Sequence, residues 1–358
     1  MFSKFGFSFY LLLLSLATFC LSKYPRHNGD MPFYIVCAIQ LEQGSMDGAV
    51  EKALVYLKQE LPADEYTGHA EEIKRAGTEY FDFYRIKPLY VLMVLLFHKI
   101  GFSFTTATVV PSLLCFFLVG ITIWRFSIQY MDPVKTFLVS IICITIYPSF
   151  LLARLSTPDA MSYFFLLNAL LFIYTGRQTL IWFSLLLLAL CTRLDNIIAA
   201  LVLLSALLKW PDSKFANKLR PREFAFYALI LIAVAVSINL VFTQHFVRIT
   251  DPVNERSTME YLANVKDYLL AFSGSFLIAL LILFVFTRPV HGFDWKVKVN
   301  YMIYVILAIV FVRFLLYPFY EDRFLMPFII FGILIISFHY SETKNIDRVV
   351  AADDFPFP

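Results

Sequence analysis

Charged residues are scarce in this sequence, and their scarcity indicates the class of protein. Asp, Glu, Lys and Arg make up 16% of the 358 residues, whereas hydrophobic residues make up 59% and aromatic residues 18%. A soluble domain carries about 25% charged residues. A chain this apolar cannot hide its hydrophobic side chains inside one core. The composition therefore predicts a protein whose solvent is the lipid bilayer.

Motifs of several other classes are missing as well. The sequence has no GxSxG, no Walker loop and no HExxH, and its six histidines are scattered. Basic residues form no continuous stripe and the net charge is only +3, which argues against a nucleic-acid partner. The five cysteines show no CxxC spacing, so we interpret them as small apolar residues and not as a disulfide framework or a zinc site.

Long apolar runs are the main feature that the sequence does contain. Each approaches the roughly 20 residues that a helix needs to cross a bilayer. They lie at residues 6–22, 105–124, 136–153, 160–175, 179–192, 194–208, 223–242, 267–287, 299–317 and 324–339. Backbone amides in hydrocarbon must be satisfied within the segment, and the runs lack the alternation of barrel strands. We expect an all-α polytopic membrane protein with about ten transmembrane helices, forming a single transmembrane domain over residues 1–358.

Basic residues in the short loops predict the orientation. If Lys4 is cytoplasmic and the first helix is not cleaved, the basic loops all fall on the cytoplasmic side, as the positive-inside rule requires. Those loops are residues 125–135, 176–178, 209–222 and 288–298. We then expect a multi-pass protein of the plasma (inner) membrane with both termini in the cytoplasm. Residues 23–104 become a first extracytoplasmic loop. A cleaved signal sequence is the alternative, but no convincing small-x-small site precedes Lys23.

Two segments complicate this topology. Residues 86–100 are too short and too charged to span comfortably, and we interpret them as an interfacial helix. Residues 179–208 could be one long helix, but the orientation favours a hairpin of two short helices hinged at Arg193-Leu194-Asp195.

The first loop itself shows helical periodicity. Apolar side chains recur at three-and-four spacing within residues 42–61, which predicts an amphipathic helix on the membrane surface. Pro62 should end this helix, and the polar stretch that runs to Glu79 is typical of a solvated connector.

Many of the remaining charges fall on the outer face in this topology. They are Asp30, Arg85, Lys87, Arg154, Asp159, Arg193, Asp195, Glu321, Asp322 and Arg323. Charges at membrane depth are costly unless they pair or line a wet cavity, so we predict a functional cavity on this face. Ordinary interfacial snorkelling is the alternative, and it explains single basic residues better than it explains the aspartates.

Short motifs that run nearly end to end carry a family resemblance. They are Asn28-Gly29-Asp30-Met31-Pro32-Phe33-Tyr34, Lys87-Pro88-Leu89-Tyr90, Ser156-Thr157-Pro158-Asp159-Ala160-Met161, Leu190-Cys191-Thr192-Arg193 and Glu321-Asp322-Arg323-Phe324-Leu325-Met326-Pro327. In this order they resemble the GT-C superfamily of polytopic membrane glycosyltransferases, which includes protein mannosyltransferases and aminoarabinose transferases. The resemblance implies a sugar donor carried on a polyprenyl phosphate or diphosphate, and inverting transfer on the extracytoplasmic side.

Asp30 occupies the place of the catalytic carboxylate in that resemblance. Such families use an acidic residue early in the first outer loop as general base or to position the acceptor. A carboxylate within hydrogen-bond reach can take the proton of an attacking hydroxyl. Alternatively, Asp30 only caps the segment that starts at Met31-Pro32.

The leaving lipid phosphate needs cations to take up its developing charge. The candidates are Lys87, Arg323, Arg85, Arg193 and Arg154. Lys87 and Arg323 come first by motif position, although each could be half of a structural ion pair with Glu321, Asp322 or Asp82. For Asp159, we expect helix capping.

Many relatives in that superfamily show an adjacent acidic pair in the first loop, whereas here Asp30 is followed by Met31, and the sequence has no DxD triplet. We therefore expect metal-independent transfer without a cofactor. The expected partners are a polyprenyl-phosphate sugar donor, a glycan or lipid acceptor, and the bilayer. The sequence ends at Pro358, and we expect no soluble C-terminal domain.

Three other functions fit the same composition. A transporter or flippase of lipid-linked saccharides would also need cations and aromatic residues at membrane depth, but no internal repeat is evident. A non-catalytic membrane assembly subunit would make no use of Asp30. A polymerase or ligase of whole lipid-linked oligosaccharides would share the architecture of a monosaccharide transferase.

Overall fold

The computed structural model describes residues 2–176, 179–210, 218–243, 298–316 and 322–353. Regular structure in these ranges is helical, and one isolated bridge pairs Arg26 with Leu155. The helices are α1 (Phe2–Ser22), α2 (Met31–Gln43), α3 (Met46–Glu60), α4 (Ala63–Arg75), α5 (Thr78–Arg85), α6 (Pro88–Lys99), α7 (Phe104–Ser127), α8 (Pro133–Thr145), α9 (Tyr147–Arg154), α10 (Asp159–Tyr174), α11 (Thr179–Thr192), α12 (Asn196–Leu208), α13 (Pro221–Phe242), α14 (Lys298–Leu316) and α15 (Asp322–Asp353). The all-α prediction is confirmed for this part of the chain.

Several of these helices have the length and composition of membrane spans. Helices α1, α7 and α13 are long and apolar enough to cross a bilayer, and the bent pair α8–α9 makes a fourth span if it counts as one. Shorter apolar helices are α6, α10, α11, α12 and the part of α15 from Leu325 to His339. The expected number of about ten transmembrane helices is not confirmed. The predicted span at 267–287 lies outside the described residues.

A proline divides the run that we predicted as one span at residues 136–153. Helices α8 and α9 are bent by 58° at Ile146, whose ψ of 138° is extended. Pro148 lies in the first turn of α9 and has no N–H to continue the hydrogen bonds of α8. The predicted span is therefore present only if this bent pair of helices is counted as one. In contrast, α11 and α12 separate at Arg193-Leu194-Asp195, as expected.

The first loop is helical almost throughout. Helix α3 falls on the segment predicted as an amphipathic helix, with Ala53 and Leu57 buried, and α6 falls within residues 86–100. The segment before Glu79 is largely exposed, as expected of a solvated connector, but it is helical, because α4 forms there. Ala70 and Ile73 lie three residues apart on α4 and are both buried, so even this polar segment has one apolar side.

The core surrounds α10. This helix is buried over most of its length and packs against α7, α11 and α15. A helix that is apolar on all sides can face lipid or other helices, and the burial of α10 shows that it packs against other helices. Because α10 begins at Asp159, a carboxylate stands at one end of the most enclosed helix in the described part of the chain.

Helix α1 lies on the outside and approaches α7 closely at one point. The Tyr10 hydroxyl donates to the carbonyl oxygen of Gly120 at 3.0 Å. A Cβ atom built on Gly120 would lie 2.6 Å from the nearest methyl carbon of Leu14, which is fully buried. Small residues allow membrane helices to approach each other in this way.

Gly120→Val is expected to separate α1 from α7 and to destabilise the protein by about 1–3 kcal/mol, because a packed interface resists added volume. Thermal unfolding of the purified protein in detergent measures the effect. Gly68→Val in α4 is the matched control, since nothing lies within 4 Å of a Cβ there. Equal losses in the two variants would contradict this account of the α1–α7 contact.

Candidate functional site

The chain between α1 and α2 is tied to the chain between α9 and α10. The backbone N–H of Arg26 donates to the carbonyl oxygen of Arg154 at 2.9 Å, and Nε of Arg154 donates to the carbonyl of Tyr24. This connection brings together the starts of α2 and α10, which carry Asp30 and Asp159.

The Asp30 carboxylate is half-buried and held by two hydrogen bonds. Oδ1 accepts from the Tyr84 hydroxyl at 2.9 Å, and Oδ2 accepts from Nδ2 of Asn28 at 3.1 Å. Burial, with the charge of Asp30, raises the pKa of Tyr84, so the phenol stays protonated and donates. Asp30 stands at the N-cap position of α2 but makes no side-chain capping hydrogen bond. The capping alternative for Asp30 therefore finds no support.

The Lys87 side chain ends in an aromatic cage. Its Nζ lies 3.8 Å from the ring centroid of Phe83, 4.8 Å from that of Tyr84 and 5.4 Å from that of Tyr34. Lys87 is only 7% exposed, and its ammonium makes no hydrogen bond or ion pair with any described residue. Neither Asp82 nor another carboxylate in the described ranges pairs with it directly.

Burial lowers the pKa of Lys87 to about 8. The nearby charges of Asp30, Asp159 and Asp195 favour the ammonium, and that of Arg193 opposes it. The aromatic cage thus holds a cation that desolvation makes costly and that aromatic faces only partly stabilise. An anionic ligand would supply the counter-charge that this ammonium lacks.

A network of four charged side chains lies beside Lys87. Arg193 donates two hydrogen bonds to Asp195, from Nε to Oδ1 at 3.0 Å and from Nη2 to Oδ2 at 3.1 Å. Its Nη1 donates to Asp159. Arg313 of α14 donates to Oδ2 of Asp195, and the Thr157 hydroxyl donates to Asp159 at 2.8 Å. Burial alone would raise the pKa of Asp195, but Arg193 and Arg313 hold it well below its usual range.

The expectation that Asp159 caps α10 does not match this arrangement. Pro158 is the N-cap residue of α10, and the Asp159 carboxylate is engaged by Arg193 and Thr157. Among the described residues, the charges of the two carboxylates are matched by those of the two guanidinium groups. The site therefore keeps one carboxylate, Asp30, and one ammonium, Lys87, outside any direct ion pair with the described residues.

The structure brings three of the six predicted site residues together, namely Asp30, Lys87 and Arg193. Arg85 points elsewhere, to Asp82 at 2.5 Å and Gln40 at 2.9 Å. Arg154 is bound to the backbone of Tyr24. The position of Arg323 falls in α15, but its side chain lies outside the part of the chain that the structure describes.

Sequence reasoning missed Tyr84 and Arg313. Arg313 did carry a signal, because it is an unaccompanied arginine within the apolar run 299–317, where a charge needs a partner. Tyr84 carried none of its own, since it is one of several aromatic residues in a segment typical of a membrane interface.

The arrangement combines a hydrogen-bonded carboxylate with a buried, unpaired ammonium. The first can accept a proton from a hydroxyl group, and the second can stabilise an anion. No protein-family model, no curated protein and no solved structure matches this chain. Its function is therefore argued from the chemistry of these residues.

Proposed function

We propose that this chain is a membrane glycosyltransferase of the GT-C type. It transfers a sugar from a polyprenyl-phosphate donor to a glycan or lipid acceptor on the extracytoplasmic face, with inversion. One observation carries the proposal. The Asp30 carboxylate is free of a capping role and of any ion pair with the described residues, and its charge acts on the nearby, unpaired ammonium of Lys87.

Asp30 acts as the general base. The acceptor hydroxyl loses its proton to the carboxylate as its oxygen forms a bond to the anomeric carbon, and the bond from that carbon to the phosphate oxygen breaks. Tyr84 and Asn28 hold the two carboxylate oxygens in place, which limits rotation of the side chain. The lone pairs of the carboxylate oxygens that these two hydrogen bonds do not use face the hydroxyl group of the acceptor.

Lys87 receives the leaving lipid phosphate. Its ammonium is already desolvated, so a phosphate oxygen gains a strong electrostatic contact without stripping water from the cation. Arg193 is committed to Asp159 and Asp195, and so it fixes the wall of the cavity. Lys87 is thus the first contact for the phosphate, and Arg193 is a positioning residue.

Binding of a polyprenyl-phosphate sugar is expected to weaken as the pH rises through about 8, the pKa of free Lys87. The donor is a phosphodiester and keeps its charge over this range, so the loss of affinity reports the proton on Lys87. Above this pKa the dissociation constant rises about tenfold per pH unit, because each binding event then takes up one proton. Donor-induced thermal stabilisation, measured from pH 6 to 10, gives the dissociation constants.

Lys87→Arg is the informative variant for this experiment. An arginine stays charged to above pH 12, so the variant should bind donor with no loss near pH 8. Lys99→Arg is the matched control, since Lys99 is exposed and pairs with Glu42, and it should keep the wild-type profile. A wild-type affinity that is flat across pH 8, or a nucleotide sugar that binds as well as the polyprenyl donor, would contradict the assignment.

A transporter of lipid-linked saccharides is the second candidate, and the broken helices favour it. Transporters place charged groups at discontinuous helices, and here α8–α9 bends by 58° while α11 and α12 separate at Arg193 and Asp195. Proteoliposomes distinguish the two functions. A transferase releases polyprenyl phosphate from labelled donor when acceptor is present, whereas a transporter moves intact donor between leaflets.

A further inference from the structure

A cavity lies away from Asp30, at the other end of α2. It has a volume of about 370 Å³ and opens between α2, the start of α6 and the end of α13. Its polar wall includes Gln40 and Arg85, and its apolar wall includes Leu41, Val91 and Phe242. The volume falls within the range of small-molecule sites. Ten residues of helix separate Gln40 from Asp30, or about 15 Å, so a ligand head group here is out of reach of the Asp30 carboxylate.

The polar wall of this cavity offers hydrogen-bond donors. Arg85 is 8% exposed and uses its Nε on Gln40, one Nη1 hydrogen on Asp82 and one Nη2 hydrogen on the weak acceptor sulfur of Met46. The guanidinium has further N–H groups without a partner among the described residues. Because arginine can only donate, the oxygen of the Gln40 amide must face it, which turns the amide NH₂ away. That NH₂ donates to no described residue.

The carboxylate beside Arg85 makes an anionic ligand less favourable in this cavity. Asp82 is fully buried and lies 2.5 Å from Arg85, so the charge of the guanidinium is already matched. Burial raises the pKa of Cys37, also in the lining, to about 12, and its thiol is neutral. An anion placed here would be repelled by the Asp82 carboxylate beside Arg85, which weakens its binding. A neutral ligand rich in acceptor oxygens meets the same donors without that penalty.

We propose that this cavity binds an uncharged glycolipid, with its sugar oxygens on Arg85 and Gln40 and its chain along the apolar wall of α6 and α13. The site is separate from the Asp30 centre and does not rest on the function proposed for that centre. It also gives Arg85 a role other than contact with the donor phosphate.

The test uses the full-length protein in a sugar-free detergent, since alkyl glycoside detergents would compete for the cavity. Three lipids with the same acyl chains are added in turn: monoglucosyl diacylglycerol, diacylglycerol and phosphatidylglycerol. Only the glucosyl lipid is expected to raise the melting temperature in a saturable way. Gln40→Leu, which removes the free NH₂ and the bond to Arg85, should weaken its apparent affinity about tenfold or more.

Leu41→Trp provides a variant that leaves the Arg85 contacts intact. Leu41 lines the cavity but is 46% exposed, so a larger side chain can fill the space without unfolding the protein. It should abolish the stabilisation, whereas Leu92→Trp, at an exposed position of α6, should not. Asp30→Asn should leave it unchanged. The proposal would be overturned if phosphatidylglycerol or plain diacylglycerol stabilised the protein as much as the glucosyl lipid does, or if the glucosyl lipid stabilised Leu41→Trp as much as the wild type. It would also be overturned if the glucosyl lipid caused no shift in melting temperature.

Discussion

Asp30→Asn is expected to lower the rate of sugar transfer by about 10²- to 10⁴-fold, the contribution of a positioned general base. Asparagine has nearly the same shape as aspartate and can still accept the hydrogen bond of Tyr84, so the fold should persist. Donor binding through Lys87 should persist as well, because the amide leaves the ammonium in its aromatic cage. The expected result is therefore a loss of turnover without a loss of donor-induced stabilisation.

The measurement is the release of polyprenyl phosphate from a labelled donor by the protein in nanodiscs, beside its melting temperature with and without donor. Asp47→Asn is the matched control, since Asp47 is exposed in the first turn of α3 and should tolerate the change. Wild-type turnover in Asp30→Asn would rule out Asp30 as the base. A role of this site in binding or in assembly would then explain its structure better than catalysis does.

Arg193→Ala should be among the most destabilising single changes in the described part of the chain. Arg193 is 13% exposed and is the shared partner of Asp159 and Asp195. Its removal takes away the ion pair that Asp159 makes with Arg193. Asp195 also loses Arg193 but keeps its ion pair with Arg313. Removing one partner of a buried ion pair costs about 3–5 kcal/mol. Thermal unfolding in detergent should show a correspondingly large drop.

Arg75→Ala is the comparison for this effect. Arg75 pairs with Glu71 on the surface of α4, where both side chains are mostly exposed, and such pairs contribute at most about 1 kcal/mol. Arg193→Lys should fall between the two, because lysine keeps the charge but cannot fork onto both oxygens of Asp195. Similar melting temperatures for Arg193→Ala and Arg75→Ala would show that the network does not stabilise the fold.

Most helical segments could be predicted from the sequence, and each exception is explained by the residues in or next to that segment. Apolar periodicity located α3, and the charged triplet at 193–195 marked the break between α11 and α12. The bend at Ile146 was missed because hydropathy alone ignores the backbone requirements of Pro148. Helix α4 was missed because two buried residues in thirteen give a weak pattern.

From the sequence, the site could be predicted only as a set of charged residues on the outer face of the membrane. Sequence could not show that Arg85 and Lys87 would diverge. The chain turns at Ile86 between the end of α5 and the start of α6, so side chains two positions apart point to different cavities. Nor could it show the contact between Asp195 and Arg313, which joins residues 118 positions apart and depends on the packing of α14.

The same charged network bears on how the chain enters a bilayer. Arg193 lies two positions from Asp195 and 34 from Asp159, so these pairs can form while α10, α11 and α12 are the newest helices. Within the described residues, each carboxylate of the network has a guanidinium partner, which lowers the penalty for placing ionised groups at membrane depth. Arg313 comes with α14, so Asp195 gains this second guanidinium partner only after that helix is in place.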